Sequence, residues 1–305
     1  MPDTARGLRH VEHVMGTVFS IDIRDKPTTA IHRALAEAVQ HLHRVDAVFS
    51  TYRPDSHISR LDRGEIRLED CPPEVHEVLS LCAQATHDSD GWFSIIPTGT
   101  LDPSGLVKGW ATEAASQLLH EAGAHHTCVN GGGDLQLRGQ AGPGIPWRVG
   151  IAHPLRPGEL ATVITTGHDL AVATSGTAER GVHIFDPHSG TPVAAFASLT
   201  LVGPRLTLTD TYATAAFARG DGAQDWVETL DGYEALAVLP DGQEWRTPGF
   251  RRYGSTVGTP LRIGAAVPSL TIGVGANVQV YRIGDSGAKA AWHDGYPATA
   301  HPDRG

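Results

Sequence analysis

The sequence has 305 residues, of which 40% are apolar and 19% charged, and that composition supports a globular chain with a real core rather than a disordered one. Its 24 Lys and Arg stand against 34 Asp and Glu, a formal net charge of -10. This balance repels phosphate backbones and anionic membranes, which argues against nucleic acid as a partner, and a small phosphate ligand would need a metal, helix N-termini or backbone N–H groups to offset the field.

In chain order, residues 17–23 (TVFSIDI) place Phe19, Ile21 and Ile23 at period two and predict a half-buried strand. From Thr28 to Phe49, Ile31, Leu35, Ala38, Leu42 and Val45 recur at helical spacing behind Pro27 and a capping Thr pair. A second helix follows Pro72–Pro73, with Val75, Val78, Leu79 and Cys82 inward and Gly91 beyond its end. A third is predicted from about Gly109 to Ala122, stopped by Gly123. From Thr127 to Val202, short β-rich runs alternate with Gly and Pro clusters, the pattern of a largely antiparallel sheet. A helix from about Asp210 to Arg219, an amphipathic segment around Trp226 and Leu230, and a last strand, EALAVL, complete an α+β chain. Past Gly254 the composition turns to Gly, Ala, Ser and Pro, which predicts a low-order tail over residues 255–305 behind a domain spanning 1–254.

Cys71, Cys82 and Cys128 form no CxxC pair, and three cannot all be bridged, so a reducing compartment is expected. The N-terminus has no apolar run of signal-peptide length and no stretch is long enough to cross a bilayer. The expectation is a cytoplasmic protein without membrane insertion. The 17 His residues occur without Cys partners or an HExxH spacing, which disfavours a zinc site built on them.

Four segments carry residue types that scaffolding does not require. FSTYRPDSHISRLDRG, residues 49–64, reads by itself as a turn with a capping Ser. In LDPSGLVKGWA, residues 101–111, Gly105 and Gly109 bracket Lys108; the segment serves either phosphate binding by backbone N–H groups and one Lys, or close packing. VNGGGDLQLRG, residues 129–139, sets three glycines before Asp134, as a tight turn or as a place where a flat ligand meets the backbone. The fourth is VATSGTAERGVHIFDPHSGTPV, residues 172–193, followed by LTLTDTYATAAFARG, residues 206–220. There Asp210 and Thr214 share one helix face, so a carboxylate and a hydroxyl can meet one hard cation; equally, Asp210 can be an N-cap and Thr214 filler.

Taken in order, these segments, with HVMGTVFSIDI near the start, resemble the ApbE family of FAD:protein FMN transferases over roughly residues 13–240. The resemblance implies an α+β, ApbE-like (T-fold-like) architecture of two intertwined lobes. It implies transfer of FMN from FAD to a Thr or Ser hydroxyl of an acceptor flavoprotein, with release of AMP and with Mg2+ as cofactor. The flavin site it implies comprises Met15, Tyr52, Trp92, Phe93, Ser94, Lys108, Gly132, Gly133, Asp134, Ser175, Gly176 and Ile184. The implied metal ligands are Asp210, Thr214 and the Gly105 carbonyl. Where many relatives have an Asp, this chain has Ser94, and Asp102 is the nearby candidate to replace that carboxylate.

Such a transfer requires an in-line approach, neutralisation of two phosphates and removal of a hydroxyl proton. His183 is the candidate base, with Asp186 as orienting partner, against the plainer reading of a strand end and a turn; Asp210 is a second catalytic candidate. FAD pyrophosphatase activity and non-catalytic FAD binding are the alternative functions. In the tail, DSGAKA partly resembles a flavinylation acceptor, but Lys289 stands at the acceptor position, so self-modification is not expected.

Overall fold

The computed structural model describes residues 7–96, 99–176, 184–255 and 280–283. Strands β1 (Leu8–Val14) and β2 (Thr17–Ile23) form a hairpin whose Met15-Gly16 turn has φ of 56° and 65°. Positive φ at both turn positions matches strand twist, but a Met in the left-handed region is uncommon. Strand β1 escapes the periodicity because its half-buried positions include His10 and Glu12, while Val11 is exposed.

Helix α1 (Thr29–Phe49) follows its apolar repeat, and the Thr28 hydroxyl accepts from the Ile31 N–H at 3.2 Å. The segment expected as a turn contains a short helix, α2 (His57–Asp62), capped by the Ser56 hydroxyl. Helix α3 (Pro73–Asp88) starts at its proline as predicted. Helix α4 (Ser104–Glu121) starts well before Gly109, because the Asp102 carboxylate accepts from the Ser104 N–H at 3.0 Å and packing overrides the low propensity of two glycines.

The remaining strands are β3 (Thr127–Gly131), β4 (Asp134–Arg138), β5 (Trp147–Ala152), β6 (Leu160–Thr166), β7 (Leu170–Gly176), β8 (Ser198–Gly203), β9 (Glu234–Val238), β10 (Glu244–Arg246), β11 (Gly254–Ser255) and β12 (Val280–Ile283). Helices α5 (Leu206–Arg219) and α6 (Ala223–Val227) separate β8 from β9. The strand expected to be last, β9, is thus followed by three more, and β12 lies within the segment expected to be low in order.

An eight-stranded sheet, ordered β1-β2-β3-β4-β7-β8-β9-β10, is antiparallel throughout. A four-stranded sheet, β11-β6-β5-β12, contains one parallel pairing, β12 on β5. Alternation along the long sheet feeds two cores. Val129, Ala171, Ala173, Leu199, Leu201, Ala235 and Ala237 pack with the helices. Cys128, Leu135, Leu137, Leu170, Val172, Val202 and Leu236 pack with Trp147, Val149, Ile151, Ile164 and Phe250 around the short sheet. The architecture is α+β, as expected, and its layers are helices, long sheet and short sheet.

Candidate active site

Helix α5 begins at Leu206, so Asp210 is not its N-cap but lies one turn inside. Its first N–H groups find partners on other elements. The Gln136 side chain accepts from the Leu206 N–H at 2.9 Å, and Glu113 accepts from the Thr207 N–H at 2.9 Å and hydroxyl at 2.7 Å. These bonds satisfy orphan helix donors and put a carboxylate at the positive end of the dipole. Gly109 lets α5 come close to α4: a Cβ there would lie 2.8 Å from the Leu206 carbonyl oxygen and 3.0 Å from the Asp210 Cβ.

That approach brings three charges together. The Lys108 ammonium, on α4, donates to the carboxylates of Asp134 and Asp210, the latter at 2.9 Å. Asp134 is anchored from its other oxygen, which accepts from the Thr174 N–H at 2.8 Å. The side chains of Lys108, Asp134 and Asp210 are only 18%, 7% and 9% exposed. Burial works against the ammonium charge, but the two carboxylates overcome it and hold Lys108 above the ordinary lysine range.

Several expected flavin residues gather at the same end of the long sheet. The Met15-Gly16 turn joins β1 to β2, and the Gly132-Gly133 turn packs beside it, where a Cβ on Gly132 would lie 2.8 Å from the Thr17 hydroxyl oxygen. The glycine N–H groups are already engaged: Gly132 donates to the Val18 carbonyl at 3.0 Å and Gly133 to the Asn130 side chain at 2.9 Å. The glycines therefore build a tight turn, and the N–H groups of Gly132 and Gly133 are bonded within the protein. Ser175 and Gly176 end β7, directly beyond Thr174.

Phe93 is buried against the first turn of α4, where a Cβ on Gly105 would meet its ring at 3.2 Å. Trp92 meets His188 edge-on at 4.6 Å, and the Arg219 guanidinium lies 5.9 Å from the Trp92 ring centre. Ile184 packs partly buried on the helix-side core, its carbonyl accepting from the Val193 N–H at 3.0 Å. The Ser94 hydroxyl accepts from the Ile96 N–H at 3.1 Å, while the Asp102 carboxylate accepts from the Ser104 N–H where α4 begins. Tyr52 is 96% exposed in the loop before α2.

His183 lies outside the described residues. Asp186 serves its own turn, accepting from the Ser189 hydroxyl at 2.7 Å and the His188 N–H at 2.8 Å, bonds that hold its carboxyl below the usual range.

Asp210 and Thr214 keep the one-turn spacing, with the Thr214 hydroxyl donating to the Asp210 carbonyl at 3.2 Å. Among the described residues no group of three or more His, Cys, Asp and Glu is placed to hold a metal. One carboxylate and one hydroxyl, one turn apart on α5, would offer a sparse, hard-oxygen set. It fits magnesium, which keeps waters and takes one or two carboxylates together with substrate phosphates. Sequence reasoning did not find Thr174, Glu113 and Gln136; their roles depend on partners far along the chain.

The α+β fold that positions this charge cluster has known counterparts. The family model described as "ApbE family" matches residues 15–98 and 96–237, and the chain belongs to that family. The FAD:protein FMN transferase of Klebsiella pneumoniae is 26% identical over 170 residues, covering 52% of this chain and 49% of that protein. The chain thus spans about half the length of that relative. The FAD:protein FMN transferase of Vibrio cholerae is 28% identical over 306 residues, covering 81% of this chain and 90% of that protein. Among solved structures, the ApbE protein of Thermotoga maritima has a TM-score of 0.71 at 20% identity, covering 82% of this chain and all of that one (100%). The flavin transferase ApbE of Vibrio cholerae has a TM-score of 0.67 at 20% identity, with coverages of 81% and 99%. No helix among the described residues is long and apolar enough to cross a membrane.

Proposed function

We propose that this chain transfers the FMN half of FAD to a Thr or Ser hydroxyl of an acceptor flavoprotein, magnesium-dependently, with AMP leaving. The observation that carries the reading is the meeting of three family segments at one buried ammonium, through Lys108, Asp134 and Asp210. The names of the matching relatives support the same chemistry.

In the reaction the acceptor oxygen bonds to the FMN-side phosphorus as the bond from that phosphorus to the bridging oxygen breaks, and AMP departs with that oxygen. Asp210 and Thr214, with the Gly105 carbonyl, would hold magnesium, which when bound supplies charge neutralisation for the pyrophosphate. Lys108 adds a permanent positive charge to the same site. The Met15 turn, Tyr52, the 92–94 segment, the Gly132-Gly133-Asp134 turn, Ser175, Gly176 and Ile184 make the flavin-facing surface. His183 takes the hydroxyl proton, since an imidazole with a reference pKa of about 6.5 is a competent base near neutrality. The buried thiols of Cys71 and Cys82 support a reducing compartment, and we place the chain in the cytoplasm.

The test is incubation with FAD, magnesium and a candidate acceptor, read by in-gel flavin fluorescence and AMP release. Asp210→Ala is expected to abolish transfer and magnesium-dependent FAD binding, and His183→Ala to bind FAD but transfer slowly. Normal transfer by Asp210→Ala removes the metal assignment. Free FMN with an unlabelled acceptor replaces transfer by hydrolysis.

A further inference from the structure

We propose that Lys108 is a built-in counter-cation that passes from Asp210 to Asp134 when a divalent ion arrives, so that Asp134 sets metal affinity through Lys108. The inference rests on the magnesium reading above and adds how the site admits the ion.

Two carboxylates from different elements converge on one ammonium in a largely buried space. Buried charges persist only when paired, so in the metal-free protein Lys108 is what makes Asp134 and Asp210 tolerable side by side. A divalent ion on Asp210 would meet an ammonium 2.9 Å from the same carboxylate. Two cations on one shielded carboxylate repel strongly, so binding of the ion must displace the ammonium.

Lys108 is poorly placed to swing out to solvent, because its side chain is only 18% exposed and Gly109, next to it, is packed on Leu206 and Asp210. It has a nearer destination. Asp134 already accepts from the same ammonium, and the Thr174 N–H holds that carboxylate in place at 2.8 Å. A lysine ammonium is a point charge on a flexible stem with three donors, so it can shift its weight from one carboxylate to the other without losing its last partner. Asp134 is accordingly a positioning residue: it acts on the metal through Lys108.

The arrangement predicts opposite signs for two replacements at one ion pair. Lys108→Met removes the competitor and should tighten magnesium binding about tenfold, while Asp134→Asn removes the negative charge that competes with Asp210 for Lys108 and should weaken it about tenfold. A purely structural role would weaken both. The measurement is calorimetric titration of magnesium chloride into the full chain at pH 8 with saturating FAD, accompanied by thermal melts without metal. If Lys108→Met does not fold, Lys108→Gln removes the charge, keeps two donors and carries the same sign.

Losses of affinity in both variants overturn the hand-off. Asp210→Asn separates that failure from failure of the metal reading. If Asp210→Asn abolishes magnesium binding while the other two variants both weaken it, the hand-off falls and the metal site stands. If Asp210→Asn binds magnesium like the unmodified chain, the metal site falls and the hand-off with it.

Discussion

Along β7 and β9 the long sheet turns small side chains towards the helices and larger ones towards the short sheet, and the difference locates the chemistry. Towards the short sheet, Leu135, Leu137, Leu170, Val172 and Leu236 meet Trp147, Val149, Ile151, Ile164 and Phe250. Such side chains fill the space that separates stacked sheets by roughly 10 Å. Towards the helices, Ala171, Ala173, Ala235 and Ala237 share a core with Ala213, Ala215 and Ala216 of α5. Small side chains let helix and sheet backbones lie close, so short polar side chains reach across the layers. Side-chain size, as much as polarity, decides which face can carry Lys108 between Asp134 and Asp210.

The largest expected effect away from the reacting groups belongs to the short-sheet face. Trp147 is fully buried, and its indole N–H donates to the Arg138 carbonyl at 2.9 Å. Trp147→Ala should cost about 3–5 kcal/mol, from lost transfer energy and the cavity left behind. Chemical denaturation measures that loss. Transfer per folded molecule should stay unchanged, and a clear fall in rate at a temperature where the variant is fully folded breaks the division of labour between the faces.

Acid sensitivity, by contrast, should reside in the helix layer. His41 on α1 is buried beside the Trp110 ring, 5.5 Å away, and accepts at Nδ1 from the Arg44 guanidinium at 3.1 Å. Its Nε2 is buried without a hydrogen-bond partner. Burial first, then the Arg44 charge, pushes its pKa down to about 4, against the opposing pull of Glu74 and Glu77. The fold prefers the neutral ring while the unfolded chain protonates near pH ~6.5, so this stability is present above about pH 6.5 and drains away as pH falls towards 4. The full loss is of order 3 kcal/mol. His41→Leu should flatten the dependence of Tm on pH between 6.5 and 4, and an unchanged slope assigns the acid sensitivity elsewhere.

How much of this was legible in the sequence varies with the reach of the interactions involved. Helix α1 is readable because its apolar repeat and its cap, Thr28, are local. The start of α5 is not, since its donors are met by Gln136 and Glu113, 70 and 94 residues away from their partners. The first turn of α4, ahead of the expected start near Gly109, is not readable either, since glycine has low helix propensity and the close approach of Asp210 that requires Gly109 comes from a distant segment. Family resemblance picked out Lys108, Asp134 and Asp210 separately. Their meeting at one point depends on how α4, α5 and the β3–β4 turn pack, which no single segment encodes, and the anchoring of Asp134 by a backbone N–H leaves no residue-type signal at Thr174.

The smallest change tests the comparison most directly. Alanine at position 109 gains about 1 kcal/mol of helix propensity over glycine, while forcing a methyl into a packed contact costs about 1–3 kcal/mol. The added Cβ would lie 2.8 Å from the Leu206 carbonyl oxygen and 3.0 Å from the Asp210 Cβ, so the backbone of α5 must give way. Net destabilisation should therefore be small, roughly 0–2 kcal/mol, yet the displacement falls on the residue that meets Lys108. Gly109→Ala should lose transfer activity and magnesium affinity well beyond what its Tm suggests, the reverse of Trp147→Ala. A Gly109→Ala protein that melts near the unmodified chain and transfers at full rate would mean that helix spacing is not what keeps Asp210 on Lys108.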